Sequence, residues 1–155
     1  MSARPDLVAC WLYRLDASGN PEILLIRRAS DRMYPGLWQC VTGKLEPGER
    51  IVEGALREVA EETGLNRSDL EDLMSTDLVN WFHFEGLDTL LSEAVFAARV
   101  RRDAAVVLSE EHDAARWLPP DEAKALVVWA AYERAIDFVV WMLANPAKAA
   151  AHRLR

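Results

Sequence analysis

The sequence predicts an α/β protein in which a mixed β-sheet is flanked by helices on both faces. Strand-like runs rich in valine, leucine and aromatic residues come first, and a helix with one apolar side follows them. Further strands then precede the C-terminal helices. With 155 residues, 51% of them hydrophobic and 28% charged, the chain is expected to form a single globular domain over residues 1–155.

The first part of the chain is predicted to contribute a β-hairpin and a third short strand. Residues 6–15 (DLVACWLYRL) and residues 22–28 (EILLIRR) have strand composition and flank the turn ASGNP. After a loop, residues 37–43 (LWQCVTG) form another short apolar strand. Cys10 and Cys40 lie in these apolar runs, so we expect buried free thiols and no disulfide framework.

A central helix is predicted over residues 50–63, followed by Gly64 as a natural C-terminal stop. Its apolar side is formed by residues at helical spacing, namely Val52, Ala55, Leu56 and Val59. The next stretch, residues 66–73, is a weaker helical or irregular segment.

The last part of the chain is predicted to add three strands and two helices. The strands are expected over residues 76–84, 93–101 and 115–119, with a loop over 85–92. The helices are expected over residues 120–127 and 127–144, the second of them amphipathic. The Ala-rich, basic tail over residues 147–155 is expected to be frayed.

Charge and hydropathy narrow the classes of partner. The net charge of −7 argues against a binder of nucleic acid polymers or of anionic membranes. The apolar stretch from Leu126 to Ala144 is interrupted by Glu133, Arg134 and Asp137, which makes it too polar to span a membrane. Without a signal-peptide pattern at the N-terminus, a cytoplasmic location is expected. Small phosphorylated substrates remain compatible, because divalent metals invert the local field.

Three carboxylates share one side of the predicted central helix. Glu58, Glu61 and Glu62 lie at positions i, i+3 and i+4, so their like charges repel unless a cation lies among them. One remedy is pairing of Arg57 with Glu61 together with screening by solvent. The other is a hard divalent cation, for which clustered carboxylates are preferred ligands. From spacing alone the solvated surface is favoured, because acidic helix faces are common.

The segment from Gly43 to Leu65 carries a longer pattern that changes this balance. It reads Gly, five residues, Glu, seven residues, Arg-Glu, an aliphatic, any residue, Glu-Glu, any residue, Gly and an aliphatic. Every defined position is filled, by Gly43, Glu49, Arg57, Glu58, Val59, Glu61, Glu62, Gly64 and Leu65. This segment resembles the Nudix box, and the chain is therefore similar to the Nudix hydrolases.

The resemblance implies an α/β/α sandwich with a mixed sheet, and cleavage of a nucleoside diphosphate linked to another moiety by attack of water on phosphorus. The usual metal is Mg²⁺ or Mn²⁺. By position, the implied metal ligands are the Gly43 carbonyl, Glu58 and Glu62, with Glu61 serving a metal or base catalysis. Arg57 is implied to orient the site by pairing with Glu49, while Gly64 and Leu65 are structural.

The general base does not have a constant position in this family. Glu61 is the first candidate and Glu111 the second, since a Glu before the Trp-Leu strand resembles the late acidic residue of several members. Glu110 competes with Glu111 for that role. His112 is expected to be a structural or solvent-facing neighbour, because a hard metal prefers oxygen ligands.

Short segments of the chain are similar to the dihydroneopterin triphosphate and deoxyadenosine triphosphate pyrophosphohydrolases of the family. That similarity implies release of pyrophosphate and a monophosphate. CVTG stands where many members have Pro-Gly-Gly, which leaves the loop shape open. The alternatives are another nucleoside diphosphate derivative, such as an oxidised nucleotide, a dinucleoside polyphosphate or a nucleotide sugar, and a nucleotide-sensing module without turnover.

Five residues are candidates for substrate binding. Arg27 and Arg28 end the second strand, and because strand residues alternate between faces we expect one of them to clamp a phosphate. Trp38, Trp81 and His83 are candidates for stacking on a base or pterin ring. The last helix, which carries tryptophans, is expected either to pack on the sheet or to form a homodimer surface.

Overall fold

The computed structural model describes residues 3–155, and its centre is one mixed sheet. The strands are β1 Leu7–Leu15, β2 Pro21–Arg28, β3 Trp38–Gln39, β4 Val41–Lys44, β5 Leu70–Phe84, β6 Thr89–Val100 and β7 His112–Leu118. The helices are α1 Ile51–Thr63, α2 Pro120–Leu126, α3 Ala130–Ala144 and α4 Pro146–Ala149. The main strand order is β3-β2-β1-β6-β5, with β4 also paired to β1 and β7 to β2. The β1–β6 pair is parallel, and the other pairs are antiparallel.

Strand β1 is the centre of the fold because both of its faces are buried. Its residues alternate between two hydrophobic clusters, with Val8 in one and Trp11 in the other. The Val8 cluster includes Ala55 and Val59 of α1, whereas the Trp11 cluster includes buried residues of α2 and α3. The sheet is therefore covered by helices on both faces, which confirms the predicted fold class.

Helix α1 has the boundaries that its sequence signals predict to within one residue. It ends at Thr63, and Gly64 adopts a left-handed conformation with φ 71° while its N–H donates to the carbonyl of Ala60. The apolar side places Ala55 and Val59 against the sheet. This fixed orientation decides which of the helix carboxylates face the protein and which face solvent.

Two strand regions differ from the expectation. The single strand predicted over residues 37–43 is divided into β3, which pairs with β2, and β4, which pairs with β1. The weak segment 66–73 contains only a short 3₁₀ turn at Arg67–Asp69, after which β5 begins. Strands β5 and β6 are longer than predicted and form a hairpin, so most of the expected loop 85–92 is a 3₁₀ turn and strand.

The C-terminal tail is docked, in contrast to the expected fraying. Leu154 donates its backbone N–H to the Leu73 carbonyl at 2.8 Å, and the Arg153 guanidinium contacts both carboxylate oxygens of Asp72 at 2.9 and 3.2 Å. One ring nitrogen of His152 lies 3.1 Å from the carbonyl of Ser75. β5 lies at an edge of the sheet, and the tail occupies part of the backbone that would otherwise be open.

Helix α3 packs against the sheet through one of its sides. Ile136, Val139 and Met142 are buried in the same cluster as Trp11 of β1. Trp141 remains partly exposed on the other side. Within residues 3–155, no helix combines the length and apolarity needed to cross a membrane.

Candidate active site

Two of the three helix carboxylates point into the protein. Glu58 is 8% exposed and Glu62 is 2% exposed, whereas the side chain of Glu61 is 57% exposed. Glu62 accepts a hydrogen bond from the backbone N–H of Thr42 in β4 at 3.2 Å. The carboxylates therefore meet the sheet at β4, and the acidic stripe is not a solvated surface.

Gly43 in β4 is required by the position of Glu58. A Cβ built on Gly43 would lie much closer than 3.0 Å to all three atoms of the Glu58 carboxylate group. Only a residue without a side chain leaves this space for the carboxylate. The backbone of Gly43 and the carboxylate of Glu58 therefore lie side by side, as the sequence pattern requires.

Arg57 holds the acidic residues together from the outside of the helix. Its Nε and Nη2 atoms donate to the two carboxylate oxygens of Glu49 at 2.8 and 3.1 Å. Nη1 donates to Glu58 at 2.7 Å and to Glu61 at 3.2 Å. The implied Arg57–Glu49 pair is present, and so is the contact with Glu61 that the helix spacing allows. This bidentate geometry restricts the rotation of the guanidinium and orients Glu58.

The site contains more negative charge than the nearby cations balance. Burial, followed by the neighbouring charges of Glu58 and Glu111, raises the pKa of Glu62 to about 9. Burial also raises the pKa of Glu58, although Arg57 opposes that effect. Buried carboxylates with too little positive charge around them are characteristic of functional sites.

A second segment approaches the helix carboxylates from the start of β7. One carboxylate oxygen each from Glu62 and Glu111 and one ring nitrogen of His112 lie within 4.8 Å of one another. His112 is buried, and desolvation together with the charges of Arg28 and Arg32 lowers its pKa to about 4. Of the two alternatives that the sequence leaves open, the buried position of His112 excludes the solvent-facing one. In the sequence, its position beside Glu111 is the one signal that places it near the site.

These elements enclose a groove of about 270 Å³, which we call the carboxylate groove. It is lined by Arg32, Glu61, Glu62, Ser109, Glu110 and Glu111. Arg32, which the sequence analysis missed, is the cation among these lining residues. It lies in the loop after β2, where the sequence carries no pattern that distinguishes it from an exposed surface arginine.

The two arginines at the end of β2 have different environments. Arg27 donates to Asp113 at 2.7 Å and lies over the Trp38 ring with its Cζ atom 5.6 Å from the ring centroid. Arg28 lies with Nη1 3.8 Å from Glu111, and its charge acts on Glu62. Arg28 is therefore the one of the pair that lies beside the carboxylates.

Trp38 lines a second groove of about 310 Å³, which we call the aromatic groove. Its other lining residues are Tyr34, Pro35, Gly36, Leu37, Leu126 and Val128. The two grooves are joined by one loop, because Arg32 lines the first and Tyr34 lines the second. Tyr34 has φ 55°, an unfavourable conformation for a residue with a side chain, and such strain is concentrated at functional sites.

Trp81 and His83 line neither groove. Both lie on the outer part of the β5–β6 hairpin, where Trp81 is 63% exposed and His83 contacts Asp88 at 3.0 Å. Of the three stacking candidates, Trp38 therefore lines one of the two grooves, whereas Trp81 and His83 line neither.

The site fits a divalent cation on the chemistry of its donors. Buried carboxylate oxygens from Glu58 and Glu62 stand beside the backbone of Gly43, where no Cβ can be placed, and Glu111 approaches Glu62. Oxygen-rich sites of this kind suit Mg²⁺ and Mn²⁺. A cation would also relieve the repulsion that raises the pKa of Glu62.

Comparison with curated proteins gives two informative relatives. The chain is 45% identical over 98 residues to an octanoyltransferase of Myxococcus xanthus, covering 62% of this chain but only 26% of that protein. It is 28% identical over 130 residues to the nucleoside triphosphatase NudI of Escherichia coli, covering 77% of this chain and 85% of that protein. Several other NudI sequences of the same species are 34% identical over 87 residues, covering 56% of this chain and 55% of those proteins.

Solved structures share the fold over most of the chain. The dihydroneopterin triphosphate pyrophosphohydrolase of E. coli has a TM-score of 0.72 and 28% identity, with 87% of this chain and 94% of that chain covered. An Ap4A hydrolase of C. elegans has a TM-score of 0.78 and 21% identity, with 92% and 99% covered. At that identity, the second likeness shows the fold alone.

The NUDIX domain family itself matches residues 4–141, which include the sheet, the acidic helix and most of α3. With the box complete in sequence and its residues assembled around β4 and α1, the chain belongs to the NUDIX domain family and has the Nudix hydrolase fold.

Proposed function

We propose that this protein is a metal-dependent pyrophosphohydrolase that cleaves a nucleoside triphosphate, or a related triphosphate such as dihydroneopterin triphosphate, to the monophosphate and pyrophosphate. The observation that carries the proposal is the burial of the Glu58 and Glu62 carboxylates, with Glu58 packed against Gly43 and Glu62 lining a groove that has more carboxylates than cations. The likeness to NudI and to the dihydroneopterin triphosphate enzyme supports a triphosphate substrate.

In this proposal the cation is Mg²⁺ or Mn²⁺, held by Glu58, Glu62 and the Gly43 carbonyl. When bound, it supplies charge neutralisation of phosphate oxygens and acidification of water. Arg57 acts as a positioning residue, because its bonds to Glu49 and Glu58 hold the second of these carboxylates in place. Burial around Glu62 excludes competing water from one side of the site.

Glu61 is the candidate for accepting the proton of the attacking water. It lines the carboxylate groove and is exposed to it, while Nη1 of Arg57 at 3.2 Å restrains the carboxylate. A proton acceptor must reach water, and the exposed carboxylate of Glu61 does so more readily than the buried carboxylate of Glu62. Glu111 remains the second candidate, and the variants Glu61→Gln and Glu111→Gln separate the two by their effects on kcat.

The remaining residues of the two grooves suit the other parts of such a substrate. Arg28, beside Glu111, is placed to bind a phosphate oxygen and so to oppose the negative charge of the groove. Trp38 and Tyr34 line the aromatic groove and offer surfaces for a planar ring. A substrate with a phosphate chain and a ring would use both grooves through the shared loop.

The test is a substrate panel with product analysis. Nucleoside triphosphates, dihydroneopterin triphosphate, dinucleoside polyphosphates and nucleotide sugars are incubated with Mg²⁺ or Mn²⁺, and the products are separated chromatographically. We expect pyrophosphate release from at least one triphosphate. Turnover of only dinucleoside polyphosphates or nucleotide sugars would replace the proposed substrate, and tight binding without any turnover would indicate a sensing module.

Glu62→Gln provides the matched variant. It removes the charge of a proposed metal ligand and retains the shape of the side chain, so we expect a rate at least about 100-fold lower with the circular dichroism spectrum unchanged. Wild-type rates for this variant would contradict the placement of the metal at Glu62.

A further inference from the structure

His112 has a free ring nitrogen in a position where its environment offers no hydrogen-bond partner. The residue is 4% exposed, and among residues 3–155 its Nδ1 atom has no partner. Its other nitrogen, Nε2, lies 2.9 Å from Nε2 of Gln39, which is itself buried. A buried polar atom without a partner is costly, so a ligand at Nδ1 would remove a real penalty.

The contact with Gln39 is suited to holding a metal-binding histidine. As placed, the amide nitrogen of Gln39 donates to Nε2 of His112, which puts the proton of the neutral ring on Nδ1. A 180° turn of the Gln39 amide exchanges its nitrogen and oxygen without altering the shape of the side chain. The amide oxygen then accepts the Nε2–H of His112, which leaves the lone pair of Nδ1 free. Metal-binding histidines usually donate their second ring N–H to such an acceptor, because this selects the tautomer and the ring orientation.

The surroundings of His112 supply the remaining ligands. One ring nitrogen of His112 lies within 4.8 Å of carboxylate oxygens from Glu62 and Glu111, and these two oxygens are also within 4.8 Å of each other. Three donors at these separations can approach a common ion after small side-chain movements. Glu62 comes from α1, whereas the other two residues flank the start of β7, so the donors converge from two elements.

We propose that His112 provides a nitrogen ligand to a divalent cation shared with Glu62 and Glu111, and that this nitrogen makes the site prefer Mn²⁺ over Mg²⁺. Imidazole adds affinity for first-row transition metals, whereas Mg²⁺ favours sites made of oxygen alone. The inference rests on the proposed function and deepens it, because this cation shares the ligand Glu62 with the site proposed for hydrolysis. It concerns binding, so it is measured without substrate turnover.

Pulsed electron paramagnetic resonance of the Mn²⁺-loaded protein reads the nitrogen directly. We expect modulation from a ¹⁴N nucleus in the wild-type protein, replaced by a ¹⁵N signal when histidine is labelled with ¹⁵N. The signal should be lost in His112→Gln and retained in the control His152→Gln, which alters a histidine in the docked tail. If Mn²⁺ binds without nitrogen modulation, or if the modulation survives in His112→Gln, the proposal is wrong.

Calorimetry of Mn²⁺ and Mg²⁺ binding gives a second readout. We expect His112→Gln to reduce the ratio of the Mg²⁺ Kd to the Mn²⁺ Kd by about tenfold or more. An unchanged ratio would overturn the proposed preference. If His112→Gln does not fold, the double variant His83→Gln/His152→Gln leaves His112 as the only histidine, and its ¹⁵N signal decides the question.

The two proposals fail in different ways. Nitrogen coupling without hydrolysis of any substrate would leave the His112 ligand standing and refute the pyrophosphohydrolase assignment. Turnover of a triphosphate without nitrogen coupling would support the pyrophosphohydrolase assignment and refute the His112 ligand.

Discussion

Substituting Gly43 by alanine adds one methyl group at the point where β4 meets the acidic helix. The new Cβ would lie much closer than 3.0 Å to the carboxylate of Glu58, so that carboxylate must move by about 1 Å to reach ordinary contact at 3.4 Å. The carbonyl of residue 43 is retained in the variant. The φ angle of Gly43 is not in the left-handed region, so the backbone accepts alanine. The substitution therefore displaces Glu58 without deleting any proposed ligand.

The expected effect is large for activity and small for stability. A displacement of about 1 Å at a reacting site costs on the order of 100-fold in rate, and we expect kcat/KM to fall by that factor, about 2.7 kcal/mol. Replacing glycine in an accepted conformation stabilises a protein by about 0.4–1 kcal/mol through the unfolded chain, which offsets part of the strain. The fold should thus survive with only a modest change in Tm.

The assay compares Gly43→Ala with the control Gly86→Ala, which lies in the exposed turn of the β5–β6 hairpin. The closest atom to a new Cβ on Gly86 is a Phe84 ring carbon at 3.2 Å, so this control adds a methyl group without displacing a carboxylate. Steady-state rates are measured over a range of Mg²⁺ concentrations, since a displaced Glu58 should also raise the metal requirement. If Gly43→Ala acts through Glu58, adding Glu58→Gln should cause little further loss. Wild-type kcat/KM and an unchanged Mg²⁺ requirement in Gly43→Ala would refute this account of the site.

Three further predictions concern stability and reactivity. The pKa of Glu62 is about 9 in the folded protein, whereas the ordinary value, which applies to the unfolded chain, is 4.5. Between these two pH values the folded protein retains a proton that the unfolded chain has lost. The free energy of unfolding must therefore fall as pH rises through this range. The measurement is made with a chelator present and above pH 6.5, where His112 is neutral in both the folded and the unfolded protein. We expect Tm to decrease as pH rises in the wild type, and to decrease less in Glu62→Gln. Parallel plots of Tm against pH for the two proteins would contradict the raised pKa of Glu62. Cys10 and Cys40 are buried, and burial raises the pKa of each thiol, to about 12 for Cys10. Neither should therefore react with a thiol reagent until the protein unfolds. Rapid labelling of the native protein would disprove their burial. Arg153→Ala removes the bidentate contact with Asp72. Because the Arg153 side chain is largely exposed, we expect only a small decrease in the free energy of unfolding, measured with denaturant against the control Arg155→Ala. A gain in stability would contradict the docking of the tail.

The parts of the protein that could be predicted from the sequence depend on local patterns. The apolar spacing around Ala55 and Val59 defines α1, and Gly64 ends the helix because only glycine readily adopts its left-handed backbone. The box pattern names the acidic residues of that helix. It does not distinguish Glu61, which is exposed, from Glu58 and Glu62, which are buried, since that difference depends on where the helix meets β4.

What only the tertiary structure decided involves residues that are distant in sequence. The backbone N–H of Thr42 in β4 donates to Glu62, which lies 20 residues later in the sequence. His112 approaches Glu62 from another strand, β7. The C-terminal tail is docked instead of frayed because Arg153 and Leu154 pair with the open edge of β5. Single-sequence patterns describe which side of an element is apolar, but the pairing of elements sets which side chains face each other. The sequence by itself therefore determined the fold class and the acidic helix, and folding decided which of its carboxylates are buried and that an imidazole lies beside them.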